Sequence, residues 1–235
     1  MTLTPQSPFP PGAERDLEAG ARAMGVPLRT GTAGRLLAYA ALLIRWNRAY
    51  NLTAIRDPRA IVARHLLDSL SIVPWVRGPR LLDVGTGPGL PGIPLALANP
   101  GLLVTLLDAN GKKVRFCRQC VLELGLPNVE VVQSRVEAYR PAERFDSVTT
   151  RAFADLPEMV RLCLPLLAPG GRLLAMKGVA PGADGAALRA VGLEVAIHPL
   201  CVPGIDEERH LVEIRPPPGG PKAAAPDSSL GSPAG

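Results

Sequence analysis

The sequence predicts an α/β protein built on a mostly parallel sheet with helices on both faces. Three observations carry that prediction. From Arg80 onward, short apolar runs alternate with stretches of helical pattern. The runs are nearly continuous, as in strands buried on both faces. Strand and helix in alternation call for crossover connections, which parallel neighbours use.

The elements follow in order. Residues 1–13 carry Pro5, Pro8, Pro10 and Pro11 and are expected to be a disordered N-terminus. An N-terminal helical segment covers 14–78, with predicted helices over 14–24 and 32–50. In the second, Leu36, Leu37, Ala40, Leu43 and Ile44 recur at three- and four-residue spacing, with arginines elsewhere. Residues 79–215 form the α/β domain. Its predicted strands lie at 80–84, 102–107, 129–132, 145–150 and 172–176. Between them, 112–125 and 155–167 have helical pattern, and a helix begins near Pro91. Two further runs, 193–198 and 209–215, have only a Pro/Gly link at 202–204 between them, which predicts an antiparallel pair closing one edge of a seven-stranded sheet. The last 20 residues, Pro216 to Gly235, contain six prolines and four glycines. Such a stretch cannot repay its ordering entropy by burial, so 216–235 is expected to be a disordered tail.

Composition bounds the function. A chain of 235 residues suits one domain with appendages, and 47% apolar residues supply a core, which excludes disorder throughout. The longest apolar run, Leu36 to Ile44, falls far short of the ~20 residues a membrane span requires. Four cysteines do not make a disulfide scaffold, and the N-terminus lacks a basic stretch followed by an apolar one. The expectation is a soluble cytoplasmic monomer. A net charge of +5 favours a polyanionic partner. Aromatic residues at 4% argue against a platform of stacked bases.

The informative segment runs Leu81-Leu82-Asp83-Val84-Gly85-Thr86-Gly87-Pro88-Gly89-Leu90-Pro91-Gly92. It sets a glycine-rich turn after a predicted strand and before a predicted helix. Gly85 and Gly87 permit torsions that a Cβ forbids and let a ligand approach the main chain. Asp108 ends the second predicted strand, where a carboxylate reaches ribose hydroxyls. A tight strand–helix turn with no ligand is the plainer reading of the glycines; strand context plus the acid argues for a nucleotide-type ligand. A dinucleotide fingerprint wants Gly-x-Gly-x-x-Gly, yet position 90 is Leu. Asp83, before the first glycine, suits a ligand with a cationic amino-acid end, which S-adenosylmethionine has and NAD lacks. Methyl transfer is thereby favoured over an NAD-linked oxidoreductase.

With these residues in view, the sequence resembles the RsmG (GidB) family of 16S ribosomal RNA guanine-N7 methyltransferases. The resemblance runs from about Trp46 to Arg215. It rests on Trp46 with Asn51-Leu52-Thr53, on His65-Leu66-Leu67-Asp68-Ser69 and on the string from Asp83 to Pro94. Leu107-Asp108 with Lys112-Lys113, Ser134-Arg135-Val136-Glu137, Arg151-Ala152-Phe153, Met176-Lys177-Gly178 and Arg209-His210 follow in the family's order. The resemblance implies a class I, Rossmann-like methyltransferase sheet, with S-adenosyl-L-methionine as cofactor and 16S ribosomal RNA or the small ribosomal subunit as partner. It implies a guanine in the 530 loop, guanine-527 in the usual numbering, as target; a non-catalytic ribosome-assembly factor keeping the cofactor fold is the third reading, beside methyl transfer and the NAD-linked oxidoreductase. It implies cofactor contacts at Gly85, Leu90, Val136, Glu137 and Arg151, beside Gly87 and Asp108 from the motif itself. The family's frequent serine after the ribose acid is Ala109 here, and the Pro/Gly tail lies outside the pattern.

Guanine N7 carries a lone pair and no proton, so in-line positioning suffices and no general base is required. No catalytic acid or base is therefore assigned; Arg151, Lys177 and His65 are candidates for substrate positioning. Arg151 and Lys177 end predicted strands, the side where open α/β sheets bind ligands, though a structural ion pair is the alternative. His65 and Asp68, three apart, share a helix face, either fixing that helix or touching substrate. Cys117 and Cys120 form a Cys-x-x-Cys on a predicted helix without the further ligands zinc needs. They are expected to be half-buried, and no metal site is expected. Seven arginines against two acids lie between Arg45 and Arg80. Of these Arg48, Arg56, Arg59 and Arg64, with Lys112, Lys113 and Arg115 farther on, form the expected RNA-facing patch.

Overall fold

The computed structural model describes residues 7–151 and 155–217. Seven strands form one sheet: β1 (Arg80–Val84), β2 (Leu103–Asp108), β3 (Val129–Gln133), β4 (Phe145–Thr150), β5 (Leu167–Lys177), β6 (Glu194–Pro199) and β7 (His210–Arg215). Their order is β3-β2-β1-β4-β5-β7-β6. The first five are parallel neighbours, and β7 runs antiparallel to both β5 and β6. The apolar runs are strands because most of their side chains find a covered face, with Leu103 at the start of β2 an exposed exception. Leu81, Leu106, Leu174 and Leu211 enter one core, while Leu82, Leu107, Leu173 and Val212 enter the other.

The first core is covered by α1 (Ala13–Ala23), α2 (Thr32–Tyr50), α5 (Gly92–Ala98) and α6 (Gly111–Leu124). Between α2 and the sheet lies a helical run of α3 (Pro58–Ile61), a π-helical turn Val62–Leu67 and α4 (Asp68–Leu70). The second core is covered by α7 (Leu156–Cys163) and α8 (Gly182–Ala190). The N-terminal helices thus share a core with the sheet, with Leu36, Leu43 and Tyr39 fully buried against it. Trp46 stacks on Tyr50, ring centroids 5.1 Å apart, and meets Phe116 of α6 at 5.7 Å.

Three expectations change. Residues 7–13 are not a disordered arm, because Phe9 is buried in the first core and anchors the chain ahead of α1; residues 1–6 lie outside the described residues. The helix expected over 155–167 ends at Cys163, since Pro165 turns Leu164–Leu166 into a 3-10 segment. Strand β5 then begins at Leu167, with an irregularity between its pairings Phe145↔Leu167 and Ser147↔Arg172. Of the expected tail, Pro216 and Pro217 follow β7 and are half-buried, while 218–235 lie outside the described residues. No helix among the described residues is long and apolar enough to cross a membrane.

Candidate functional site: two neighbouring cavities

Both candidate cavities open at the carboxyl end of the parallel strands. The first, about 230 Å³, is lined by Val84, Gly85, Leu107, Asp108, Ala109 and residues 134–137. Four of the expected cofactor residues, Gly85, Asp108, Val136 and Glu137, therefore meet on one wall.

The loop after β1 is built by short-range bonds. Gly85 and Thr86 N–H groups donate to Leu107 O at 2.8 and 3.1 Å, tying the turn to β2. Gly85 and Gly87 have φ of 66° and 60°, a left-handed backbone that suits glycine. Beyond Gly87 a Cβ would meet nothing nearer than Gly85 O at 4.0 Å, so this side of the loop stands open. The Gly87 N–H donates to Asp108 Oδ2 at 2.9 Å and the Asn110 N–H to Oδ1 at 2.8 Å. Each carboxylate oxygen keeps a further lone pair, which is what ribose hydroxyls require. Leu90 is 2% exposed and packs in the core, bracing the loop from behind.

Asp83 does not face the ligand space as expected. Its carboxylate is fully buried and turned into the loop, accepting from Thr86 Oγ1 at 2.6 Å and Gly92 N at 2.8 Å. Burial pushes this carboxyl up to about 6 against the pull of those two donors. Gly92 has no room for a side chain, because a Cβ would collide with Leu106 Cδ2 and crowd Asp83. The loop is also held from the helices: the Tyr39 hydroxyl donates to Pro88 O at 2.8 Å, and Cys117 Sγ to Gly87 O at 3.4 Å. Cys117 and Cys120 are free and fully buried, not half-buried, and burial raises both thiols above their usual range. Among the described residues no cluster of His, Cys, Asp or Glu can hold a metal.

The second cavity, about 340 Å³, lies at the ends of β4 and β5 and the start of β7. Arg64, His65, Asp68, Arg151, Lys177 and Arg209 supply its polar wall, and Met176 and Leu200 its apolar one. Arg151 is thus placed here and not on the first cavity's wall. Asp68, 4% exposed, is the anchor: Arg151 Nη1 donates to Oδ2 at 3.1 Å, and Arg209 Nε lies 3.4 Å from Oδ1. Burial raises this carboxyl although both arginines pull it down. Arg151 Nη1 also donates to Arg64 O at 3.2 Å.

The π-helical turn explains how His65 and Asp68 serve one site. Its wider turn leaves the Arg64 carbonyl accessible to Arg151, beside both side chains. His65 is buried, and burial followed by the Arg151 charge lowers its imidazole to about 4, so the ring is neutral near pH 7. That leaves it poorly suited to proton uptake. Burial likewise lowers the Lys177 ammonium. Of the expected RNA patch, Arg48, Arg56, Arg59, Lys112 and Arg115 are exposed, Lys113 is half-buried, and Arg64 is paired with Glu207 at 2.5 Å. Arg209, present in the sequence only as part of a matching motif, and the buried Tyr39 were not among the expected site residues. A carboxylate in a polar helical turn with arginines far along the chain gives no local signal for Arg209.

Against this geometry stand the comparisons. The family model GidB, described as rRNA small subunit methyltransferase G, matches residues 33–212. A Ribosomal RNA small subunit methyltransferase G from Alkalilimnicola ehrlichii is 54% identical over 200 residues, 83% of this chain and 89% of that protein. One of the same name from Stenotrophomonas maltophilia is 52% identical over 212 residues, 90% of this chain and 99% of its own. Among solved structures, the glycopeptide N-methyltransferase MtfA complexed with S-adenosyl-L-methionine superposes with a TM-score of 0.55 at 15% identity, covering 65% of this chain and 87% of that one. An S-adenosylmethionine-dependent methyltransferase from Aquifex aeolicus gives 0.52 at 18% identity, covering 66% and 92%. At those identities the likeness is one of fold, the class I methyltransferase sheet.

Proposed function

The chain belongs to the GidB family of small-subunit ribosomal RNA methyltransferases, and from that premise we propose that it methylates N7 of a guanine in 16S ribosomal RNA, guanine-527 of the 530 loop. S-adenosyl-L-methionine is the methyl donor and supplies, when bound, an electrophilic methyl on a sulfonium. The observation that carries the reading is the first cavity, where Gly85 and Asp108, the latter accepting from the Gly87 N–H, share a wall with Val136 and Glu137. Gly85, Gly87, Asp108, Val136 and Glu137 hold the cofactor, with Leu90 shaping the loop from the core side. Arg151, Lys177 and Arg209 ring the adjoining cavity, so that cations meet the guanine edge or its phosphate there. Because N7 needs no base, a neutral His65 is consistent with this chemistry. Arg48, Arg56, Arg59, Lys112, Lys113 and Arg115 grip phosphates without reading sequence.

We further infer a cytoplasmic monomer, where ribosomal RNA is met. The large exposed apolar side chains, Leu103, Leu122, Val179 and Val191, come from separate stretches of chain. The test is nucleoside analysis with primer extension of 16S RNA from a deletion strain. The modification at guanine-527 should vanish and return with the gene on a plasmid; its persistence in the deletion strain overturns the assignment.

A further inference from the structure

A chain of hydrogen bonds that begins outside both cavities, at Asn47 and Thr53, reaches Arg151 in the wall of the second. Asn47, on α2, brackets the loop residue Thr53: its Nδ2 donates to Thr53 O and its Oδ1 accepts from Thr53 N, both at 2.9 Å. The Thr53 hydroxyl accepts from the Ile55 N–H at 3.2 Å and lies 2.8 Å from His65 Nε2. At the other side of the ring, His65 Nδ1 lies 3.0 Å from the Arg64 carbonyl.

Donor accounting assigns the proton. A carbonyl only accepts, so Nδ1 carries the hydrogen. In a neutral imidazole Nε2 is then bare, and the Thr53 hydroxyl donates to it. Arg151 Nη2, 3.5 Å from Nδ1, therefore faces a donor and makes no hydrogen bond there. The guanidinium is held instead by Asp68 Oδ2 and the Arg64 carbonyl. In the opposite tautomer a bare Nδ1 would repel the Arg64 carbonyl and attract Nη2. Arg151 would then have a competing partner in the ring.

We propose that Thr53 is a positioning residue, which by donating to His65 Nε2 fixes the Nδ1–H tautomer and so keeps Arg151 on Asp68 and the Arg64 carbonyl, facing the second cavity. The proposal rests on the reading of Arg151 as a substrate-side group. It also gives the Asn47 bracket a purpose, since Asn47 holds the backbone from which the hydroxyl is aimed. Thr53 itself lines neither cavity, so it acts only through the ring.

The experiment joins nitrogen-15 NMR of the imidazoles with a double-mutant cycle on the full chain. The sequence has three histidines, so the ring signals are few, and His65→Gln assigns the one concerned. Wild-type His65 should be neutral with Nδ1 protonated. Thr53→Val should shift the ring towards Nε2–H and lower kcat for methylation about fivefold, the scale of one lost hydrogen bond, with the S-adenosylmethionine Kd unchanged. Thr53→Ser should restore both readouts, and Thr53→Ala serves if the valine variant does not fold. In an Arg151→Ala background Thr53→Val should have no further effect. An Nε2–H tautomer in the wild type, an unaltered kcat in Thr53→Val, or effects that add in full each overturn the proposal. Arg151→Ala at wild-type activity overturns the reading of Arg151 and this role of Thr53 with it. A crippled Arg151→Ala beside a fully active Thr53→Val overturns Thr53 alone.

Discussion

The two cavities sit side by side on one sheet edge but are built by different means. In the glycine-loop cavity the bonds are short in sequence: Asp83 to Thr86 spans three positions, Asp83 to Gly92 nine, and Gly87 to Asp108 twenty-one. The cationic cavity closes over far longer separations, eighty-three positions from Arg151 to Asp68 and one hundred and forty-three from Arg64 to Glu207. Most of the first is specified over short separations, with Tyr39 of α2 bracing it at Pro88 over forty-nine positions. The second exists only once the N-terminal helices have docked on the sheet.

The largest effect should come from the loop, with no counterpart across the divide. Gly87→Val places a β-branched residue at φ 60° and pushes its side chain into the open space before Asp108. S-adenosylmethionine affinity should fall at least about a hundredfold, on the order of 3 kcal/mol. RNA affinity at fixed salt should hold. Paired calorimetric and RNA titrations check this, and a joint loss of both would show that the cavities are one unit.

A second difference is written in pH. Asp83, raised to about 6, keeps a proton in the fold that the unfolded chain releases near 4. Its contribution is full below about pH 4 and lost as pH rises through 6. Asp68, also raised, acts in the same sense. His65, lowered to about 4, acts oppositely: the unfolded chain takes up its proton below about 6.5, so stability rises with pH from 4 to 6.5. The raised carboxyls and the lowered imidazole thus offset each other, the second cavity holding one group of each sense in Asp68 and His65. Asp83→Asn removes one side, and the stability difference from wild type should grow by about 3 kcal/mol between pH 4 and 7 in favour of the variant. Urea midpoints across that range measure it; parallel curves would show that Asp83 is ionised throughout.

The same division sets what was legible in the sequence. The strands stood out because both faces of the sheet are covered, which makes runs such as 102–107 nearly continuously apolar, with only Thr105 between leucines and valine. Gly85 and Asp108 lie at strand ends, positions that periodicity and the glycine motif fix together, whereas Val136 and Glu137, in a 3-10 turn after β3, were reached only through the family resemblance. The inward turn of Asp83 escaped because a carboxylate before a glycine reads alike whether it faces a ligand or Thr86 and Gly92. The π-helical turn at Val62–Leu67 leaves no mark in composition, although three-residue spacing did place His65 with Asp68. Phe9 was hidden by its prolines, which argue for disorder only where no apolar side chain finds a core. Arg209 joins Asp68 across the whole domain, and no local pattern announces such a partner.

Arg151→Ala tests the cationic side by a smaller amount. It removes charged hydrogen bonds to Asp68 and the Arg64 carbonyl, each about 1.5–3 kcal/mol. The kcat for methylation should drop about tenfold to a hundredfold, and stability should fall because Asp68 is left buried with only Arg209 beside it. If the cofactor Kd suffers more than kcat, Arg151 belongs functionally to the first cavity and the division must be redrawn.

The smallest effect separates docking from both cavities. Arg48 and Arg59 are exposed, on α2 and α3, and line neither cavity. If they grip phosphates, neutralising both as Arg48→Gln with Arg59→Gln removes two counterion-releasing contacts. The slope of log K against log salt should flatten by nearly one per lost contact on duplex RNA, and by about 0.7 on single strands. Affinity at moderate salt should fall only several-fold, because each exposed contact is screened over about 8–10 Å. Cofactor affinity and kcat at saturating RNA should not move, since neither residue touches the groups that position the reaction. A wild-type slope in the double variant would mark this surface as merely solvated. Docking would then fall to Lys112, Lys113 and Arg115 at the start of α6, directly after Asp108. RNA binding would in that event be built into the local, legible cavity and not into the helices that complete the other one.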